Sequence, residues 1–97
     1  MNIRQMMKQA QAMQDKVQAD LAALRVEGQS GGGAVKVVLS GTKEFLSCDI
    51  DRGMVDGSDL EMLQDLVVAA ARDAGRKVDE AVEKRTASLL GGMMRGV

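Results

Sequence analysis

The sequence predicts an α+β fold, α-β-β-β-α, in which a three-stranded antiparallel meander is flanked by two long helices. Three observations carry that reading. Apolar residues recur every three or four positions towards both ends of the chain. Between them two runs alternate with a period of two, Val35-Val37-Leu39 and Leu46-Cys48-Ile50, as strands with one apolar face do. Glycine-rich turns punctuate the middle, and proline is absent from all 97 residues. A chain of this length makes a single domain near the lower end of what folds alone.

The first helix is expected over about residues 3–24. Ile3, Met6, Ala10, Met13, Val17, Leu21 and Leu24 form its apolar stripe, and Gln5, Gln9, Gln11, Gln14 and Gln18 supply good helix formers between them. Some twenty residues make a rod of about 30 Å, so it should project beyond the sheet. Strands are expected at 24–28, 34–40 and 45–51, with Leu24 and Val26 facing the same way and Gly28 to Gly33 read as a flexible hairpin loop. That loop has neither a following helix nor a Lys-Ser/Thr partner, so it lacks the context of a phosphate cradle.

Asp56-Gly57 marks a further turn. Ser58-Asp59-Leu60-Glu61 has the form of a capping box, with Ser58 accepting from the Glu61 amide. The second helix is expected over 58–90, with Leu60, Leu63, Val67, Ala70, Ala74, Val78, Ala81 and Val82 on one side. Gly91-Gly92 should stop it and leave a frayed tail over 91–97. Gly75 lies mid-helix, at a cost of roughly 1 kcal/mol relative to Ala that a close backbone contact could offset.

Composition adds a constraint. The 45% hydrophobic content includes one Phe, no Tyr, no Trp and eight Met. Rings that supply much of the buried area in most cores are nearly missing, so Ala, Val, Leu and Met must pack instead. Such a protomer gains by burying surface on a second copy, and a homodimer is expected. Cys48 is the only cysteine and can form no intramolecular disulfide. Its place on the apolar strand face predicts a buried small hydrophobe. No apolar run is long enough to span a bilayer and no cleavable signal pattern opens the chain, which predicts a cytoplasmic location without a membrane partner.

The absence of histidine removes the commonest base and the commonest metal ligand. Asp49 and Asp51, two apart on one strand face, read as solvated charges with nothing nearby to complete a metal shell. Ser40, Ser47 and Ser58 have no base partner that spacing identifies. Neither catalysis, a metal nor a cofactor is therefore expected. What remains is basic: Arg4, Lys8 and Lys16 in the first helix, and Arg72, Arg76, Lys77, Lys84 and Arg85 in the second. Asp73 with Lys77 and Glu80 with Lys84 have (i, i+4) spacing, so the residues alone read as a solvated mixed-charge face. With a net charge of -1 and a sequence pI near 5.3, any affinity for a polyanion must come from a local patch.

Met7-Lys8-Gln9-Ala10-Gln11-Ala12-Met13-Gln14-Asp15-Lys16 is similar to the opening of the YbaB/EbfC family of bacterial nucleoid-associated DNA-binding proteins. Gly28 through Gly41 resembles that family's glycine-rich and Val-x-Val stretch with its closing glycine, and Ile50-Asp51 ends the sheet as it does there. Glu61 through Ala70, followed by Asp73-Ala74, resembles its second helix. The likeness runs from about Met6 to Met93. It implies a tweezer-like homodimer whose helical arms bind duplex DNA with low sequence specificity, and a role in nucleoid organisation or gene regulation. Arg4, Lys8, Lys16, Arg72, Arg76, Lys77, Lys84 and Arg85 would be the DNA-binding residues, contacting phosphates rather than bases. Arg72 stands where the family commonly has Asn and adds positive charge. If the arm's helices run antiparallel, Arg4 and Lys8 should approach Lys84 and Arg85 near a tip, with Lys16, Arg76 and Lys77 further down. The alternative is a protein-interaction module serving a replication or recombination-repair factor, with Met6, Met7, Met93 and Met94 as adaptable contacts.

Overall fold

In the computed structural model, which describes residues 2–95 and, of their side chains, those through Ser88, the chain runs helix, three strands, helix. The first helix, α1, spans Ile3–Ala23. The Asn2 side chain accepts from the Arg4 amide at 3.0 Å and caps its start. At its other end the Arg25 guanidinium donates to the carbonyls of Ala22 and Leu24, at 2.9 and 3.1 Å, supplying donors to the helix terminus and the residue beyond it.

Three strands follow, β1 (Arg25–Ser30), β2 (Val35–Ser40) and β3 (Phe45–Ile50), paired antiparallel in the order β1-β2-β3. This is the expected meander, with β1 longer at its far end than its pattern suggested. Gly28 is a strand residue opposite Val37, and the turn shrinks to Gly31–Gly33, whose φ angles of 60°, 67° and 96° need glycine. The last helix explains why Gly28 sits in the strand. A Cβ there would fall on the Ala74 amide and 2.5 Å from the Ala70 carbonyl oxygen.

That helix, α2, covers Leu60–Arg95, 36 residues. Its cap differs from the expected box. The Asp59 carboxylate accepts from the Met62 amide at 3.0 Å, while the Ser58 amide and hydroxyl both donate to Asp56 Oδ1, at 2.9 and 2.7 Å. The turn at Asp56 thus claims Ser58, and the next side chain takes over the helix end. The same two bonds hold the Asp56 carboxyl below its ordinary pKa, the hydroxyl more than the amide. At the far end α2 continues through Gly91-Gly92 to Arg95, which corrects the expected stop at those glycines. Interior glycines weaken a helix by about 1 kcal/mol each, and no proline follows to end it. Gly96 and Val97 lie outside the described residues, as do the side chains of Met93 and Met94.

The core is small and free of aromatic rings. Val35, Val37 and Leu39 of β2 meet Ala70, Ala74 and Val78 of α2, with Val26, Leu63, Leu66, Val67 and Val82 around them. The small residues of α2 let it settle onto Gly28, so it lies over β1 and β2. It leaves β3 bare. Ile50 and Cys48 pair with Val35 and Val37 and therefore share their apolar face. A bulge between Val38 and Leu39 brings Phe45 opposite Leu39. Yet Phe45, Leu46 and Ile50 are 68%, 40% and 41% exposed, and Cys48 is exposed rather than buried, since α2 packs on β1 and β2.

Nor does α1 bury any side chain, although its apolar stripe has the expected spacing. The molecule measures 67 × 26 × 17 Å with a radius of gyration of 18.9 Å. A compact domain of this size has about 13 Å. The excess is the two helices projecting from one end of the sheet.

Candidate nucleic-acid interface

The projecting arm is anchored where α1 meets β2. The Gly41 amide donates to the Leu21 carbonyl at 2.9 Å, and a Cβ on Gly41 would sit 2.6 Å from that oxygen. The far half of α2 leaves the sheet at the same end. Between the helices lies a cleft lined by Val17, Asp20 and Leu21 from α1 and by Val82, Arg85, Thr86 and Ser88 from α2. The helices are therefore antiparallel neighbours, but their register differs from the expected one. Arg85 faces the Val17–Leu21 level, where Lys16 belongs, whereas Lys8 and Arg4 lie about 14 and 20 Å further out along α1. Arg4 and Lys8 thus occupy the outer part of the arm without Lys84 and Arg85 beside them.

On α1, the 100° turn per residue puts Arg4 and Lys8 about 40° apart on the side away from the apolar stripe. On α2, Asp73, Lys77, Glu80 and Lys84 share the flank beside β1, whereas Arg72 and Arg76 lie on the outer back. Arg85 continues the core-facing stripe past the end of the sheet and so turns into the cleft. The eight cations are therefore spread over several faces of the two helices rather than gathered in one cluster.

Their ion pairing is uneven. Asp73 Oδ1 lies 3.2 Å from Arg76 Nη2, and its Oδ2 lies 3.0 Å from Lys77 Nζ. Lys43, at the turn between β2 and β3, meets Asp79 at 2.8 Å and ties that turn to α2. Among the described residues, none of Arg4, Lys8, Lys16, Arg72, Lys84 and Arg85 has a carboxylate within ion-pair distance. Glu80 and Lys84 do not pair despite their spacing.

Asp73 does more than its spacing suggested. The Gln29 amide on the free edge of β1 donates to its Oδ2 at 3.0 Å. That bond, then Lys77, then Arg76 hold its carboxyl at a pKa of about 2. The (i, i+4) pair with Lys77 was legible in the sequence. The Gln29 bond was not, because it depends on which edge of the sheet α2 lies over.

The other polar candidates are engaged locally. Ser40 Oγ bonds the Thr42 hydroxyl at 2.7 Å and accepts from the amides of Thr42 and Glu44. Asp51 follows the last residue of β3, its amide donating to the Ala34 carbonyl at 2.8 Å and its Oδ1 accepting from the Gly53 amide at 2.9 Å. Asp49 stands opposite Lys36 on the polar sheet face. Among the described residues no helix is long and apolar enough to cross a membrane.

The chain is 48% identical over 96 residues to a protein of Chloroflexus aurantiacus described as a nucleoid-associated protein, with 96% of each covered. An Alkaliphilus metalliredigens protein with the same description is 46% identical over 95 residues, covering 95% of this chain and 83% of that one. In three dimensions the fold matches that of an uncharacterized protein from Helicobacter pylori, at a TM-score of 0.69 and 22% identity, over 93% of this chain and 98% of the other. The model of the YbaB/EbfC DNA-binding family matches residues 1–93, and the chain belongs to that family.

Proposed function

We propose that this protein is a homodimeric nucleoid-associated protein of the cytoplasm that binds duplex DNA with little sequence preference and serves nucleoid organisation or gene regulation. One observation carries the reading. Arg4, Lys8, Lys16, Arg72 and Lys84 are exposed along two long helices and have no carboxylate partner among the described residues. Cations spaced along a rod suit a regular line of phosphates, to which each adds attraction by releasing a counterion. Arg76, Lys77 and Arg85 complete the set. The net charge of -1 gives no general attraction, so affinity rests on these side chains and screens readily.

The second copy is supported by the bare strip of β3. Cys48, Ile50, Arg52, Val55, Gly57 and Leu63 line a shallow groove beside it, and an apolar strand face left open to water favours association. A partner covering β3 would pair two arms in one particle.

Anisotropy titrations of labelled duplexes at rising salt test the DNA reading. The logarithm of the binding constant should fall linearly with that of salt, by about 0.9 per phosphate contact, and two unrelated duplex sequences should give the same line. Lys84→Glu should lower both affinity and slope. A protein that retains no duplex at low salt overturns the reading, and undiminished capture of a protein partner by Lys84→Glu would favour the interaction-module alternative.

A further inference from the structure

We propose that Asp73 holds Arg76 and Lys77 in reserve, its carboxylate occupying the place that a DNA phosphate takes on those two cations. The inference rests on the duplex-DNA reading above and deepens it. Two oxygens of one carboxylate divide the work, Oδ1 on Arg76 at 3.2 Å and Oδ2 on Lys77 at 3.0 Å. An exposed (i, i+4) pair on a lone helix forms and breaks freely. This one is different because the Gln29 amide of the sheet edge donates to Oδ2 at 3.0 Å and fixes the anion in place.

Exposure is graded to match. The Arg76 and Lys77 side chains are 74% and 44% exposed, whereas that of Asp73 is 22% exposed. A polyanion approaching from outside reaches the cations while their internal partner lies beneath them. Because that carboxyl titrates at about 2, physiological pH never neutralises it, and only a competing anion relieves the two cations. In the wild-type protein Arg76 and Lys77 therefore contribute less to DNA binding than Lys84 does.

Asp73→Asn is the test, since an amide oxygen still accepts from Gln29 while the charge disappears. Duplex affinity should rise severalfold, and the salt slope should steepen by up to roughly 1.8, two phosphates at about 0.9 each. Glu80→Gln removes one charge from the same flank without freeing a cation and should leave the slope at the wild-type value. Arg76→Gln with Lys77→Gln should lower the wild-type slope by well under the roughly 1.8 expected of two fully engaged cations, and should cancel the steepening in the Asp73→Asn background. The last pair of measurements also decides the matter if Asp73→Asn alone alters the fold, because a large loss of slope in the wild-type background shows that the cations were never held back. Equal effects of Asp73→Asn and Glu80→Gln, or none, overturn the proposal while leaving wild-type DNA binding intact. Absence of wild-type binding overturns the underlying reading as well.

Discussion

β2 and β3 are neighbours in one sheet and present apolar side chains to the same face, yet one is the core and the other is bare. Val35 and Val37 are 0% and 1% exposed. Their register partners are Ile50, 41% exposed, and the exposed Cys48. Alternation is as good in either strand. The difference comes from elsewhere in the chain, from Gly28, Ala70 and Ala74, whose small size draws α2 down over β1 and β2. Period-two patterning specifies that a face will be apolar. It does not specify which neighbour, in the same chain or another, will cover it.

The covered side of the comparison breaks at Gly28. Gly28→Ala puts a methyl group against the backbone of Ala70 and Ala74, and backbone cannot step aside as a side chain can. A loss of about 3 kcal/mol is expected in denaturant unfolding at fixed protein concentration, among the larger single-site effects available to so small a domain. An unchanged midpoint would mean that α2 does not bear on β1 so closely. The bare side breaks at Ile50. If the proposed homodimer covers this face, Ile50→Lys should leave helical circular dichroism intact while converting a two-chain mass into a one-chain mass. Burial of Ile is worth about 2 kcal/mol per copy, so the loss of both raises the dimer dissociation constant roughly a thousandfold. A dimer indifferent to Ile50→Lys would place the interface on another face.

The same contrast explains what the sequence made legible. Every element was foreseeable from local pattern, since apolar spacing and glycine turns act within a few residues. The covered core was foreseeable too, because Ala70, Ala74 and Val78 lie on the stripe of α2 that its periodicity marks. Among the features that were not, three are instructive. Cys48 looked buried because its strand face is apolar, and its exposure follows from the track of α2 over the other strands. Ser58 looked like a cap because the motif fits, but Asp56 competes for the same hydroxyl two residues away. The cations of α1 and α2 looked paired near a tip because antiparallel order was right, while their relative height depends on where Gly41 pins Leu21. The first and third are relations between elements, beyond the reach of a periodicity, and the second is a competition within one turn.

Gly75 gives the finest test of where covering stops. It lies in the interior of α2, half-buried, with nothing within 4 Å of the place a Cβ would take. Asp79, one turn on, reaches Lys43 at the β2–β3 turn, so this flank of α2 looks towards the uncovered strand. Within one chain no close contact offsets the conformational cost of that glycine. Gly75→Ala should therefore raise stability by about 1 kcal/mol and leave the two-chain mass unchanged. If the substitution instead weakened the dimer, a partner's backbone would have to approach this flank as closely as α2 approaches Gly28. The bare face would then be covered by the same small-residue packing that covers β2, with the second copy supplying it.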